Sequence, residues 1–80
     1  MPRYFFDLNN GSGFVRDCEG REEDSVGAAK QIAISALRGV ISGEISEGNA
    51  VSRSSFISVR SESDGEVAKV YFDDAVTIEE

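Results

Sequence analysis

The 80-residue chain holds 15 acidic and 8 basic residues, a formal net charge of −7, no histidine and one cysteine. That balance argues against generic binding to nucleic acid or an anionic membrane, because phosphate is met by a basic surface. The inventory also excludes an internal disulfide, a Ser-His-Asp or Cys-His catalytic set, and a zinc site made of thiol and imidazole.

A single domain over residues 1–80 is expected. A domain of this size buries only about 60% of its unfolded surface, so a thin core is expected to gain support from self-association as a dimer. Hydrophobic content of 40% is enough to fold. No apolar run approaches the roughly 20 residues of a membrane span. The N-terminus lacks the basic-then-apolar pattern of a signal peptide. One unpaired cysteine suits the reducing cytoplasm, where the protein is therefore expected.

Residues 3–9, RYFFDLN, are rich in strand formers, with three aromatics in succession. Alternation sends Tyr4, Phe6 and Leu8 to one face and Arg3, Phe5 and Asp7 to the other. NNGSG is a turn signal, and Phe14 to Arg16 can return as a second strand. The acidic segment DCEGREEDS, residues 17–25, reads as a turn whose carboxylates favour the positive end of the following helix. It lacks the alternating oxygen ligands and terminal glutamate of a calcium loop.

A helix is expected from Val26 to Ile45 with Asp24 or Ser25 as N-cap. At 100° per residue, Val26, Ala29, Ala33, Ala36, Leu37 and Val40 share one face, flanked by Ile34, Ile41 and Ile45. Gln31, Ser35, Arg38 and Ser42 mark the wet side. Gly39 and Gly43 suggest close packing or fraying, and Gly48 with Asn49 ends the helix.

Two strand-like runs in SFISVRSESDGEVAKVYFDD then flank Asp64-Gly65, a preferred two-residue hairpin turn. That turn pairs Ser63 with Glu66, Arg60 with Lys69, Val59 with Val70 and Ile57 with Phe72. It sends Ile57, Val59, Val70 and Phe72 to one face and Arg60, Val67, Lys69 and Tyr71 to the other. The expected fold is α+β: a two-layer β-β-α-β-β domain with an antiparallel four-stranded sheet, order 2-1-3-4, and one helix on one face.

The opening MPRYFFD, the D-x-x-G-x-E at Asp17, Gly20 and Glu22, and the ending Phe72-Asp73-Asp74-Ala75-Val76-Thr77-Ile78 carry a resemblance. They resemble a family of small bacterial proteins that open MPRYFFH or MPRYFFD and end on a strand near F-x-x-A-V-x-I. The resemblance implies a domain of unknown function and carries over no catalytic residue or ligand. Asp7 stands where many such relatives have histidine. A second likeness, in pattern only, is to HicB-type antitoxins: opening strand, glycine turn, acidic D-x-x-G segment and alanine-rich helix, without the proline-containing segment before the helix.

No enzyme, cofactor or metal site is expected. NNGSG lacks the strand-then-helix context and lysine of a phosphate loop, and carboxylate neighbours disfavour a reactive thiolate at Cys18. The candidate site is the sheet face away from the helix, with Arg3, Phe5, Phe56, Arg60, Lys69 and Tyr71. Arg60 facing Lys69 would repel it unless Asp7, Glu62 or an external anion compensates. The face can be an ordinary solvated surface, a homodimer or other protein interface, or a platform for single-stranded nucleic acid. The interface is the favoured reading, because an exposed aromatic patch marks one more often than not.

Overall fold

In the computed structural model, which describes residues 2–11 and 13–79, strand β1 (Arg3–Asn9) lies inside an antiparallel sheet. Along one side, β1 pairs with β4 (Phe56–Ser61) from Tyr4 to Asn9. Along the other it meets β2 (Phe14–Val15) at Leu8 and Asn9, and β3 (Arg21–Glu22) at Arg3 and Tyr4. Beyond β4 lies β5 (Gly65–Tyr71), so the order β2-β1-β4-β5 agrees with the expected one, and β3 is an additional fifth strand. Arg21 and Glu22 have no intrinsic strand signal; β1 recruits them, and Arg3 stands opposite Glu22 at 3.9 Å. Ser12 of the expected NNGSG turn lies outside the described residues; around it, the Asn10 side chain accepts from Gly13 N–H at 2.8 Å.

Helix α1 (Val26–Ser46) covers one sheet face. Its N-cap is Ser25, whose Oγ accepts from Ala28 N–H at 3.1 Å. The acids expected to serve this helix end act elsewhere: its first turn has none, and Glu23 pairs with Arg21 at 2.7 Å. The buried stripe is Ala29, Ala33, Leu37 and Ile41, an i, i+4 row narrower than the expected arc. Val26 and Ala36 are exposed, and Ile41 takes the place in the core that was read as peripheral. Against this row lie Tyr4, Ile57, Val59 and Val70, with Phe6 and Leu8 partly buried beside them. Gly39 and Gly43 face open space, so close packing is not what places them there.

The second hairpin differs from expectation in its turn. A two-residue type I′ turn needs positive φ at both central residues, but Asp64 has none and Gly65 alone sits at +75°. A three-residue loop, Glu62 to Asp64, closes the hairpin instead, and Ser61 pairs with Gly65. Ile57 therefore faces Val70 rather than Phe72, and Val59 faces Ala68 rather than Val70. Each shift is two residues, which preserves the side-chain faces while changing the partners. A register shift beyond Val59 sets Arg60 opposite Glu66, so the expected Arg60–Lys69 repulsion does not arise. Val67, expected outward, packs against the core.

Strand β5 stops at Tyr71, before the expected end of the run. Phe72–Ala75 form a single turn of helix, α2, in which the i, i+3 spacing of F-x-x-A buries both Phe72 and Ala75. The Phe72 N–H reaches the Ser55 carbonyl at 3.0 Å. Tyr71 N–H, one residue earlier, is taken by the Asp74 carboxylate at 2.9 Å. Arg38, read as solvent-facing, is exposed but donates from Nε to the Ala75 carbonyl at 2.7 Å and ties α1 to α2.

The narrow stripe is directly testable by urea unfolding. Leu37→Ala is expected to cost about 2–5 kcal/mol through lost burial and a residual cavity. Ala36→Ser, one position round the helix, should change stability by less than about 1 kcal/mol. Equal losses would contradict the stripe.

Candidate functional site

The six expected site residues do share the face opposite α1, but the fold divides them into two groups. Strand alternation puts Arg3, Phe5 and Asp7 of β1 outward, beside Phe56, Ser58 and Arg60 of β4 and Glu66, Lys69 and Tyr71 of β5. Arg3, Phe5 and Arg60 then lie under a strap, residues 17–20, which crosses from β2 to β3. Phe56, Lys69 and Tyr71 lie clear of it.

The strap follows from a gap. β2 pairs only with Leu8 and Asn9, and β3 only with Arg3 and Tyr4, so the middle of that edge of β1 lacks a strand partner. Asp17 fills it: its carboxylate accepts from Phe6 N–H at 3.1 Å, and from Glu19 and Gly20 N–H at 3.0 and 3.2 Å. Gly20 has φ +71°, and an added Cβ would stand 2.8 Å from the Phe5 ring. The D-x-x-G spacing thus supplies an acceptor for the gap and, three residues on, a residue flat enough to lie on an aromatic ring. Phe5, the ring left over by alternation, is covered from within the chain by Gly20 on one hand and the Arg60 guanidinium, 4.6 Å from its centroid, on the other.

Asp7 knots the strap to the sheet. Its residue is 4% exposed, and its carboxylate accepts from Arg60 Nε at 2.9 Å, Arg60 Nη2 at 3.3 Å and Asp17 N–H at 2.9 Å. Arg60 Nη2 also donates to the Asp17 carbonyl at 3.2 Å, and Arg3 Nη1 to the Glu19 carbonyl at 2.7 Å. Burial opposes ionisation of Asp7, but the Arg60 hydrogen bonds, the Asp17 N–H and the charges of Arg60 and Arg16 outweigh it and hold its pKa below the ordinary carboxylate value. Burial likewise opposes ionisation of Asp17, and Asp7 adds to that; the three main-chain N–H donors prevail and lower its pKa. The Asp7 hydrogen bond raises Arg60 further, so the guanidinium stays charged.

On the other half, the face is an open shelf. Phe56 and Tyr71 stand directly across from each other, ring centroids 6.1 Å apart, and Tyr71 is 52% exposed. Lys69 Nζ lies 5.1 Å from the Phe56 centroid and 4.0 Å from the Glu66 carboxylate, which also accepts from Ser58 Oγ at 2.6 Å.

Asp7, Asp17 and Gly20 were not among the expected site residues, although an aspartate inside a strand-forming run and the D-x-x-G spacing were the signals for them. Cys18 is exposed on the strap. Among the described residues, no group of three or more Cys, Asp or Glu side chains is placed to hold a metal, and no helix is long and apolar enough to cross a membrane. A cavity of about 100 Å³ lies elsewhere, between α1 and the 50–55 loop. Its Ser52 and Ser55 hydroxyls are already bonded to Ser54 and the Ser52 carbonyl, which leaves Glu44 as its one charged group.

The family model for a domain of unknown function, DUF6894, matches residues 3–73. No curated protein and no solved structure matches the chain.

Two measurements test the knot. With both native pKa values depressed, the unfolded chain binds more protons in acid, so Asp7 and Asp17 contribute stability above the ordinary carboxylate pKa that is lost as pH falls through the native values. Asp7→Asn should be less stable than the parent at pH 7 and show a shallower decline between roughly pH 5 and pH 2 in urea midpoints; an unchanged acid limb would exclude the assignment. Gly20→Ala should cost about 1–3 kcal/mol, and a double-mutant cycle should find a smaller cost in a Phe5→Ala background, where the ring is gone.

Proposed function

Since the chain belongs to the DUF6894 family, a domain of unknown function, its role has to be read from its own geometry, and we propose a non-enzymatic protein-docking module. Its docking surface is the β4–β5 half of the outer sheet face. The observation that carries this reading is the asymmetry of that face: the chain covers Phe5 with its own strap, yet leaves Tyr71 and Lys69 exposed, with Phe56 half-buried between them. An aromatic pair beside a cation has the composition of an interface core with a polar rim. The split also weakens the nucleic-acid reading, because Arg60, the central cation of the face, is committed to Asp7 and Asp17. What remains on the shelf is Lys69, itself beside Glu66, on a chain of net charge −7. The expected cytoplasmic setting is compatible with such a module and is part of the proposal.

A photo-crosslinking residue in place of Tyr71, introduced in living cells, tests the surface. It should yield a protein adduct, while the same residue in place of exposed Ser35 on α1 should not. An adduct pattern that is the same at both sites, or none at 71, would remove the shelf as a docking surface.

A further inference from the structure

The cavity of about 100 Å³ between α1 and the 50–55 loop is independent of the outer sheet face. Its helix wall is Val40, Ile41 and Glu44, which share one side of α1 because the glutamate follows them by four and three residues. The loop adds Ala50, Val51 and the buried Ser55. We infer that this cavity binds a small organic cation, an ammonium on a short apolar body, whose charge is met by Glu44.

The polar chemistry of the cavity calls for a donor. Glu44 is partly buried, and among the described residues nothing donates to its carboxylate. Ser55 spends its one hydroxyl hydrogen on the Ser52 carbonyl at 2.8 Å, so its oxygen can only accept. An ammonium has three donors and no acceptor, which matches both groups. An anion would meet the carboxylate with like charge.

The place of Glu44 in the helix points the same way. It lies in the last turn of α1, where the partial negative charge of the helix gathers, and that turn has no basic residue. A carboxylate there works against the helix's own field, so its position is not explained by the stability of α1. Arg53, the cation of the adjoining loop, is exposed and forms no ion pair. The chain thus leaves the negative charge at this helix end unmet, and a bound cation would answer the glutamate and the helix dipole together.

Size limits the guest. A cavity of about 150 Å³ takes the six carbons of benzene. One of about 100 Å³ therefore takes roughly four heavy atoms. Three methylene or methyl carbons against Val40, Ile41 and Val51, with a nitrogen toward Glu44, fill that allowance. The same four atoms form the end of a lysine side chain, so the cation can come from a free amine or from a partner protein.

n-Propylammonium, titrated into the whole protein and followed by amide and methyl NMR shifts, tests the site. It should move Val40, Ile41, Glu44 and Val51 saturably, with a dissociation constant on the order of millimolar, the range open to so few atoms. 1-Propanol and propionate should bind at least about tenfold more weakly, since neither brings positive charge to the carboxylate. Glu44→Gln should lose about tenfold or more in propylammonium affinity. Its urea midpoint should equal or exceed the parent's, because the helix end sheds an unfavourable charge. Glu47→Gln removes a nearby carboxylate outside the cavity and should bind as the parent does. The inference is overturned by an absence of saturable shifts, by equal affinity for the alcohol, or by equal binding losses in the two variants. It also fails if Glu44→Gln binds as the parent does or has a lower urea midpoint. Nα-acetyl-lysine methylamide separates the two sources. Binding as tight as n-propylammonium supports a partner's lysine, and weaker binding supports a free amine.

Discussion

The contact on which the architecture of the outer face depends is the one among Asp7, Arg60 and the Asp17 main chain. Asp7 is an acid inside a strand, a position that exposes it to desolvation on one side of a sheet. It is tolerable there because a guanidinium and a peptide N–H both donate to it. Those donors come from different parts of the chain, β4 and the strap, so neutralising one carboxylate also fixes how β1, β4 and the 17–20 segment stand to one another. A hydrophobic residue at position 7 could fill the space but could not draw the strap down.

Over β1, the other features of that face follow from the strap being held. With Asp17 placed by its own N–H bond to Asp7, its carboxylate is positioned to complete the interrupted edge of β1. With Gly20 placed, Phe5 is covered, and Arg60 has a ring to lie on. The chain therefore uses one exposed segment to solve three local problems: a buried charge, an unpaired backbone donor and a surplus aromatic. It solves them only over β1, which is why Tyr71 of β5 stays exposed.

The fold was largely legible in the sequence because its signals are local and periodic: alternation in RYFFDLN, the apolar row of the helix, and two strand runs about a glycine. Strand order followed from connection rules that hold across antiparallel sheets. What escaped was decided between segments. The hairpin partners turned on whether Asp64 adopts positive φ, a choice no residue type announces. The β3 pairing depends on an open edge that exists only once β1 and β2 have met. The site was half legible: composition and alternation put Arg3, Phe5, Phe56, Arg60, Lys69 and Tyr71 on one face, but which of them are sealed depends on a bond from residue 7 to residue 60. Among the acids of residues 17–24, read as company for a helix terminus, Asp17, Glu22 and Glu23 are instead employed in the strap and its flanks.

Both margins of the sheet end on carboxylates. Asp17 takes the Phe6 N–H on one margin, and Asp74 takes the Tyr71 N–H on the other, where the irregular pairing at Val67 also disturbs the strand. On each margin, then, one backbone donor is already taken by a side chain of the same chain, and an incoming strand would have to displace a carboxylate to pair at that point.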